Sequence, residues 1–325
     1  MLPQFSYVRP DTVKEAVKQL QNHDAAVHAG GTDLLGCLRE GIMPVDRVVS
    51  LSALAGDLHG IKETADGGLR IGALTTITEI AESPLVNKKY PGLARGASEV
   101  ASPQIRNQGT IGGNLCQKPR CWYYRGEFDC LRKGGRMCYA LGGEHQFHAV
   151  FGHDRICLIT HPSDTAPPLT ALAANVRTMG PDGKRTIPVE KFHVPPSENP
   201  QIETVLKTGE IISHIDLPRP APNLKSTYRK VRARRAWDFA LAGVALALEM
   251  DGDRIIDGRV VLSGAAPVPW RSRPVEKAIR GRRLDEATIA DAARAVVDYA
   301  DPFPGNTYKL GLFKGVIEEE LRAIR

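Results

Sequence analysis

A chain of 325 residues is too long for one ordinary core and implies two or three domains. Apolar residues make up 42% and charged residues 25%, as in a globular protein, and no apolar run nears the about 18–20 residues of a membrane span, which excludes membrane insertion. The net charge of +6 is diffuse and aromatic residues are only 6%, so an anionic cofactor or an acidic partner surface fits better than nucleic acid.

The opening Met1-Leu2-Pro3-Gln4-Phe5 has no basic patch leading into an apolar stretch, so by its own sequence the chain is expected in the cytoplasm. Residues 11–22 read as a helix, with Val13, Ala16, Val17 and Leu20 on one face and Asp11 at its cap. A short strand at 25–28 runs into the glycine turn Ala29-Gly30-Gly31-Thr32-Asp33-Leu34, a second helix ends before Pro44, and 47–51 is another strand. This small βαβ-like unit is expected to form a first lobe, residues 1–55. Residues 69–74 read as a buried strand, with helices around 77–81 and 90–100. A glycine-rich stretch, Asn107-Gln108-Gly109-Thr110-Ile111-Gly112-Gly113-Asn114-Leu115, then leads into a segment with little periodicity, expected to be an inserted loop over 117–160. Order resumes at 166–176, and the second lobe, residues 56–218, ends at a proline-rich linker over 218–224. The last domain, 223–325, is expected to hold strands at 239–250 and 259–263 around the turn Asp251-Gly252-Asp253, then helices at 286–299 and 308–324.

A dinucleotide pyrophosphate needs close backbone approach and N–H donors, which glycine permits. Neither glycine loop matches the G-x-G-x-x-G fingerprint or a P-loop, and either alone reads more readily as a tight strand-to-helix turn. Two such loops, each flanked by Thr and Asn or Asp, shift the reading toward phosphate and ribose binding.

Cysteine usage is the oddest feature. Cys37 and Cys116 stand apart, and the rest follow the spacing Cys121-x8-Cys130-x7-Cys138-x18-Cys157. Four thiolates suit zinc or a cubane cluster, but close C-x2–4-C pairs and ferredoxin runs are both missing among them. Spacing alone leaves zinc, cluster, free thiols and disulfides open.

Taken together, the Ala29–Leu34 turn, Ile71-Gly72-Ala73-Leu74-Thr75-Thr76, Arg106 with the Asn107–Leu115 stretch, Gly209-Glu210-Ile211-Ile212, Tyr228-Arg229-Lys230-Val231 and Asn306-Thr307-Tyr308-Lys309 resemble the FAD-binding medium subunits of the xanthine dehydrogenase, or molybdenum hydroxylase, family, nearly end to end. The resemblance implies an α+β fold: a two-lobed FAD-binding domain of the vanillyl-alcohol-oxidase/PCMH type, and a C-terminal α+β domain with a small antiparallel sheet and helices. Carried over by position, Val27, His28 and the turn from Ala29 to Leu34 would wrap the pyrophosphate and ribitol. Thr75 comes with the second motif. Gly109, Thr110, Gly113, Asn114, Cys116 and Gln117 would line the cleft, with Ser163 and Asp164 nearby. Ile211 and Ile212 would give apolar contacts, and Lys230 would set a positive charge by the isoalloxazine ring. A solvated surface charge is the plainer role for Lys230, and a helix cap for Asp164.

Some members of this family carry a [4Fe–4S] loop between the Gly-Gly-Asn-Leu motif and the Ser-Asp pair, and the resemblance therefore implies such a cluster on Cys121, Cys130, Cys138 and Cys157. The long last gap looks most like the aldehyde oxidoreductase type. His145, His148 and His153 are then supporting or plainly structural, and Cys37 a buried core residue. The implied partners are a large molybdenum-cofactor subunit, a small [2Fe–2S] subunit and an external electron acceptor, with FAD passing electrons between them. Co-export with a partner bearing a twin-arginine signal would give a periplasmic destination. Two other readings stand beside this one: the beta subunit of a 4-hydroxybenzoyl-CoA reductase-type enzyme, and a zinc-stabilised interaction module with vestigial glycine loops.

Overall fold

In the computed structural model, which describes residues 2–325, the strands form three sheets. The first is parallel, with Ser6–Val8 (β1) and Ala25–His28 (β2) on either side of Arg47–Ser50 (β3). Parallel strands need crossovers, and the helices Val13–Gln19 and Leu34–Arg39 provide them. The first of these helices is shorter than the sequence predicts. Thr12, not Asp11, caps it, its side chain accepting the Glu15 N–H at 3.2 Å.

The second sheet is antiparallel, with Ile61–Glu63 (β4), Leu69–Gly72 (β5), Asn175–Gly180 (β6), Gly183–Pro188 (β7) and Ile211–Leu217 (β8) in the order β4-β5-β8-β6-β7. The chain leaves it after β5 and returns at β6. Helices on this excursion bury mostly small residues: Pro91–Ser98 turns Gly92, Ala94, Gly96 and Ala97 inward beside Leu93. Helix Ile77–Glu82 starts with a capping box in which Thr76 accepts the Glu79 N–H and Glu79 accepts the Thr76 N–H at 2.8 Å.

The third sheet, Leu224–Val231 (β9), Ala242–Asp251 (β10), Arg254–Ser263 (β11) and Trp270–Arg271 (β12), is a simple antiparallel series. Asp251 pairs with Arg254 across the expected turn, where Gly252 takes φ +57°. β10 begins later than predicted, and β11 earlier. Successive side chains of β10 point to opposite faces. Val244, Leu246 and Leu248 pack against helices Glu286–Ala295 and Tyr308–Ile324, while Ala245 and Ala247 join the core of the second lobe beside Tyr228 and Val261. Burial on both faces explains why β10 reads as one continuous apolar run. Among the described residues, no helix is long and apolar enough to cross a membrane.

Candidate functional site

The two glycine loops meet. A methyl group on Gly30 would stand 1.8 Å from the Gln108 carbonyl oxygen, so only glycine lets the first loop touch the second. Gly31 takes φ +70°, turning the chain from β2 into the next helix. The N–H groups of Gly30, Gly31, Thr32 and Asp33 have no acceptor among the described residues. Such consecutive free donors form a concavity suited to anionic oxygens.

A hollow of about 320 Å³ opens on one side of this junction and one of about 150 Å³ on the other. They share Thr32, Asp33, Thr110 and Gly113, and so form one elongated cleft. Val27, Ala29, Gly30, Gly31, Leu34, Cys116, Ile211 and Ile212 line the first hollow, and Gly109, Asn114, Gln117 and Asp164 the second. Thr110 caps the short helix Ile111–Leu115 by accepting the Gly113 N–H at 3.2 Å.

His28, Thr75, Ser163 and Lys230 stand off this lining. His28 turns edge-on to Tyr7, with ring centroids 6.4 Å apart. Thr75 is fully buried and accepts the Gly60 N–H at 2.9 Å, which makes it a brace for the loop before β4. Ser163 accepts the N–H of Ala166 at 3.0 Å, the capping role expected of Asp164, and donates to Asn114 Oδ1 at 2.6 Å. Lys230 is buried, not solvated: its ammonium donates to Asp164 Oδ2 at 2.7 Å and to the Glu99 carbonyl at 3.1 Å. Its charge is thus matched by Asp164, which also accepts from the Tyr228 hydroxyl at 2.7 Å. Burial pushes the Asp164 carboxyl up, against the pull of Lys230 and Tyr228.

All six cysteines are free thiols. Cys121, Cys130, Cys138 and Cys157 line one small hollow with Tyr123, Tyr139, Arg132 and His148. Among the described residues no three His, Cys, Asp or Glu side chains converge on a point that would hold a single metal ion. A hydrogen bond from the Cys157 thiol holds Cys138 below its ordinary range, and burial pushes Cys121 up to about 11. Cys37 is buried, as expected, but it also lines the first hollow, its sulfur 3.9 Å from Asp33.

Residues 117–160 carry only short turns of helix, yet they are fastened on three sides. Asp33 pairs with Arg120 at 2.8 Å and Arg125 at 2.9 Å, and accepts the Lys118 N–H at 2.7 Å. Arg132, almost fully buried, pairs with Glu203 at 2.7 Å. Val150 and Phe151 donate their N–H groups to the Ala265 carbonyl at 2.9 and 3.1 Å. Asp33 is therefore both cleft wall and anchor, a second role that its own motif does not signal. Arg120, Trp237 and Phe239 also line the second hollow and were missed by sequence reasoning. Phe239 and Arg120 approach across separate segments, the guanidinium 5.4 Å from the ring centroid, and no local pattern marks either.

The chain as a whole has known relatives. Residues 3–220 match the FAD binding domain in molybdopterin dehydrogenase, and residues 226–309 the CO dehydrogenase flavoprotein C-terminal domain. The aldehyde oxidoreductase FAD-binding subunit PaoB of Escherichia coli (strain K12) is 39% identical, across 99% of this chain and 98% of that one. The carbon monoxide dehydrogenase medium chain of Hydrogenophaga pseudoflava is 26% identical, across 99% and 97%. A solved structure of carbon monoxide dehydrogenase from Hydrogenophaga pseudoflava superposes with a TM-score of 0.79 at 25% identity, covering 100% of this chain and 98% of that one. The chain belongs to the FAD-binding medium subunits of the xanthine dehydrogenase and carbon monoxide dehydrogenase family, the flavin-binding oxidoreductase subunits of molybdenum hydroxylase-type enzymes.

Proposed function

We propose that this subunit carries electrons from [2Fe–2S] clusters of a small partner subunit to FAD and on to an external acceptor, in a heteromeric molybdenum hydroxylase of the aldehyde oxidoreductase type whose large subunit holds the molybdenum cofactor. The likeness to the aldehyde oxidoreductase subunit over nearly the whole of both chains carries this reading. When bound, FAD supplies the exchange between one-electron and two-electron carriers. The chain's residues bind, orient and shield. The free N–H groups of Gly30 to Asp33 take the pyrophosphate. Asn114 Oδ1 already accepts from Ser163 at 2.6 Å and Thr165 at 2.7 Å, so its NH₂ is left to donate into the second hollow. Ile211 and Ile212 give the first hollow an apolar wall that excludes water. The neutral Lys230–Asp164 pair braces the second hollow from behind.

A [4Fe–4S] cluster on Cys121, Cys130, Cys138 and Cys157 completes the proposal. Each thiolate of a cubane binds a different iron, so the four surround a volume, whereas the ligands of one zinc ion surround a point. Four free thiols around one hollow, with no point shared by three, support a cluster over zinc.

The test is an anaerobic absorption spectrum of the purified subunit, with flavin, iron and zinc measured per protomer. One flavin and about four irons are expected. Flavin with zinc, or with no metal, removes the cluster and keeps the flavoprotein. No flavin after reconstitution with FAD overturns the reading of the cleft.

A further inference from the structure

His148 lies buried within the cysteine segment, its Nε2 3.2 Å from Cys121 Sγ. The other ring nitrogen, Nδ1, is also buried and has no partner among the described residues. A proton on Nδ1 would have no acceptor, whereas one on Nε2 has the sulfur. A neutral ring therefore carries its proton on Nε2, and a doubly protonated ring carries one there too. In both forms an N–H points at Cys121.

We propose that His148 is a positioning residue for the [4Fe–4S] cluster: it donates an N–H···S hydrogen bond to the Cys121 thiolate and raises the cluster's reduction potential. The inference rests on the cluster reading above. Added negative charge on a cluster spreads over its sulfurs, so a donor to one of them stabilises the reduced form more than the oxidised form.

The ring is set in place by a different domain from the one bearing the cysteines. Asn306 Nδ2 donates to the carbonyls of His148 at 3.4 Å and Ala149 at 3.2 Å. Lys309 Nζ donates to the Phe147 carbonyl at 3.1 Å and the Gly264 carbonyl at 2.9 Å. The Tyr308 hydroxyl donates to the Gln146 carbonyl at 2.9 Å, and the Gly305 N–H to His145 Nε2 at 3.2 Å. The Asn306-Thr307-Tyr308-Lys309 motif thus grips the strand of chain carrying His148 residue by residue. On the other side Trp122 stands edge-on to the imidazole, with centroids 6.4 Å apart.

The experiment compares the unmodified complex with His148→Leu and His148→Gln in redox titrations followed by EPR, reading cluster and flavin together. Loss of the donor in His148→Leu is expected to shift the cluster's one-electron equilibrium about tenfold toward the oxidised form, ~59 mV lower for a one-electron couple. His148→Gln, which keeps an N–H donor, should recover most of the shift, and the flavin should not move. A His148→Leu protein with its irons intact and an unmoved cluster potential overturns the inference alone. An unmodified subunit holding zinc or no iron overturns the cluster reading and the inference with it. Should His148→Leu fail to fold, pulsed EPR on the unmodified complex with ¹⁵N-labelled histidine decides. A weak coupling that is absent from His148→Gln supports the hydrogen bond. A strong coupling makes His148 a ligand, and no coupling removes the contact; both overturn the proposal.

Discussion

A methyl group at Gly30 has nowhere to go. The Gln108 carbonyl lies 1.8 Å from where it would sit, so Gly30→Ala must push the two glycine loops apart. The fold has other supports, and the damage should fall on the cleft: FAD affinity about tenfold weaker, equivalent to about 1.4 kcal/mol. Fluorescence titration of the apoprotein with FAD reads this, and unchanged affinity would place the pyrophosphate elsewhere. Lys309 gives a pH signature. Burial pulls its ammonium down to about 7 from the usual value of 10.5. Between these values the unfolded chain holds the proton and the folded chain does not, so stability rises with pH across that window and flattens above it. Chemical denaturation from pH 6.5 to 10 should show this rise in the natural protein and lose it in Lys309→Met. Glycines of this kind were legible in the sequence because no other residue permits so close an approach. Lys230 was not legible in the same way. Its motif could be recognised, but its matching by Asp164, 66 residues away, depends on the second lobe and the C-terminal domain packing together.

The cysteine segment shows what an element without periodicity can still specify. Its thiols face one hollow, while its arginines and backbone reach outward to Asp33, Glu203 and Ala265. Because those anchors do not involve sulfur, Cys130→Ser is expected to lose its iron and keep its flavin, with the far-ultraviolet circular dichroism unchanged; iron and flavin assays on one sample check this. Arg125→Met does the opposite. It frees Asp33 and Glu40, with which Arg125 pairs at 2.9 and 3.1 Å, and should weaken FAD several-fold with iron retained, since one partly buried charged contact contributes about 1–2 kcal/mol. Strands with clean apolar patterns, such as β2, β3, β5 and β10, were readable within a few residues. No strand was expected over 175–217, where β6, β7 and β8 lie. β6 and β7 carry Arg, Lys, Thr and Gly, β7 is a largely exposed edge strand, and it is the pairing of β6 with both β7 and β8 that makes them part of the sheet.

At the scale of the whole molecule, the proline-rich linker divides the chain without dividing the core. Tyr228, Ala245, Ala247 and Val261, all beyond the linker, pack into the same cluster as Leu93, Leu169 and Ile215 before it. Asp164, buried in the second lobe, takes both of its side-chain donors, Tyr228 and Lys230, from β9. A fragment ending at residue 222 would lose both donors of that carboxylate and expose one face of a core. The fragment alone is therefore expected to be unfolded or loosely packed, with little protection of its amides from hydrogen exchange. The cut itself is harmless, because the linker is largely exposed and carries few backbone hydrogen bonds. Residues 1–222 and 223–325 produced together should consequently reassemble, bind FAD and regain protection in helix Pro91–Ser98, whose Gly92 N–H donates to Ser226 Oγ at 3.2 Å across the break. An isolated 1–222 fragment that folds and holds flavin by itself would mean that the C-terminal sheet covers the flavin domain without completing it.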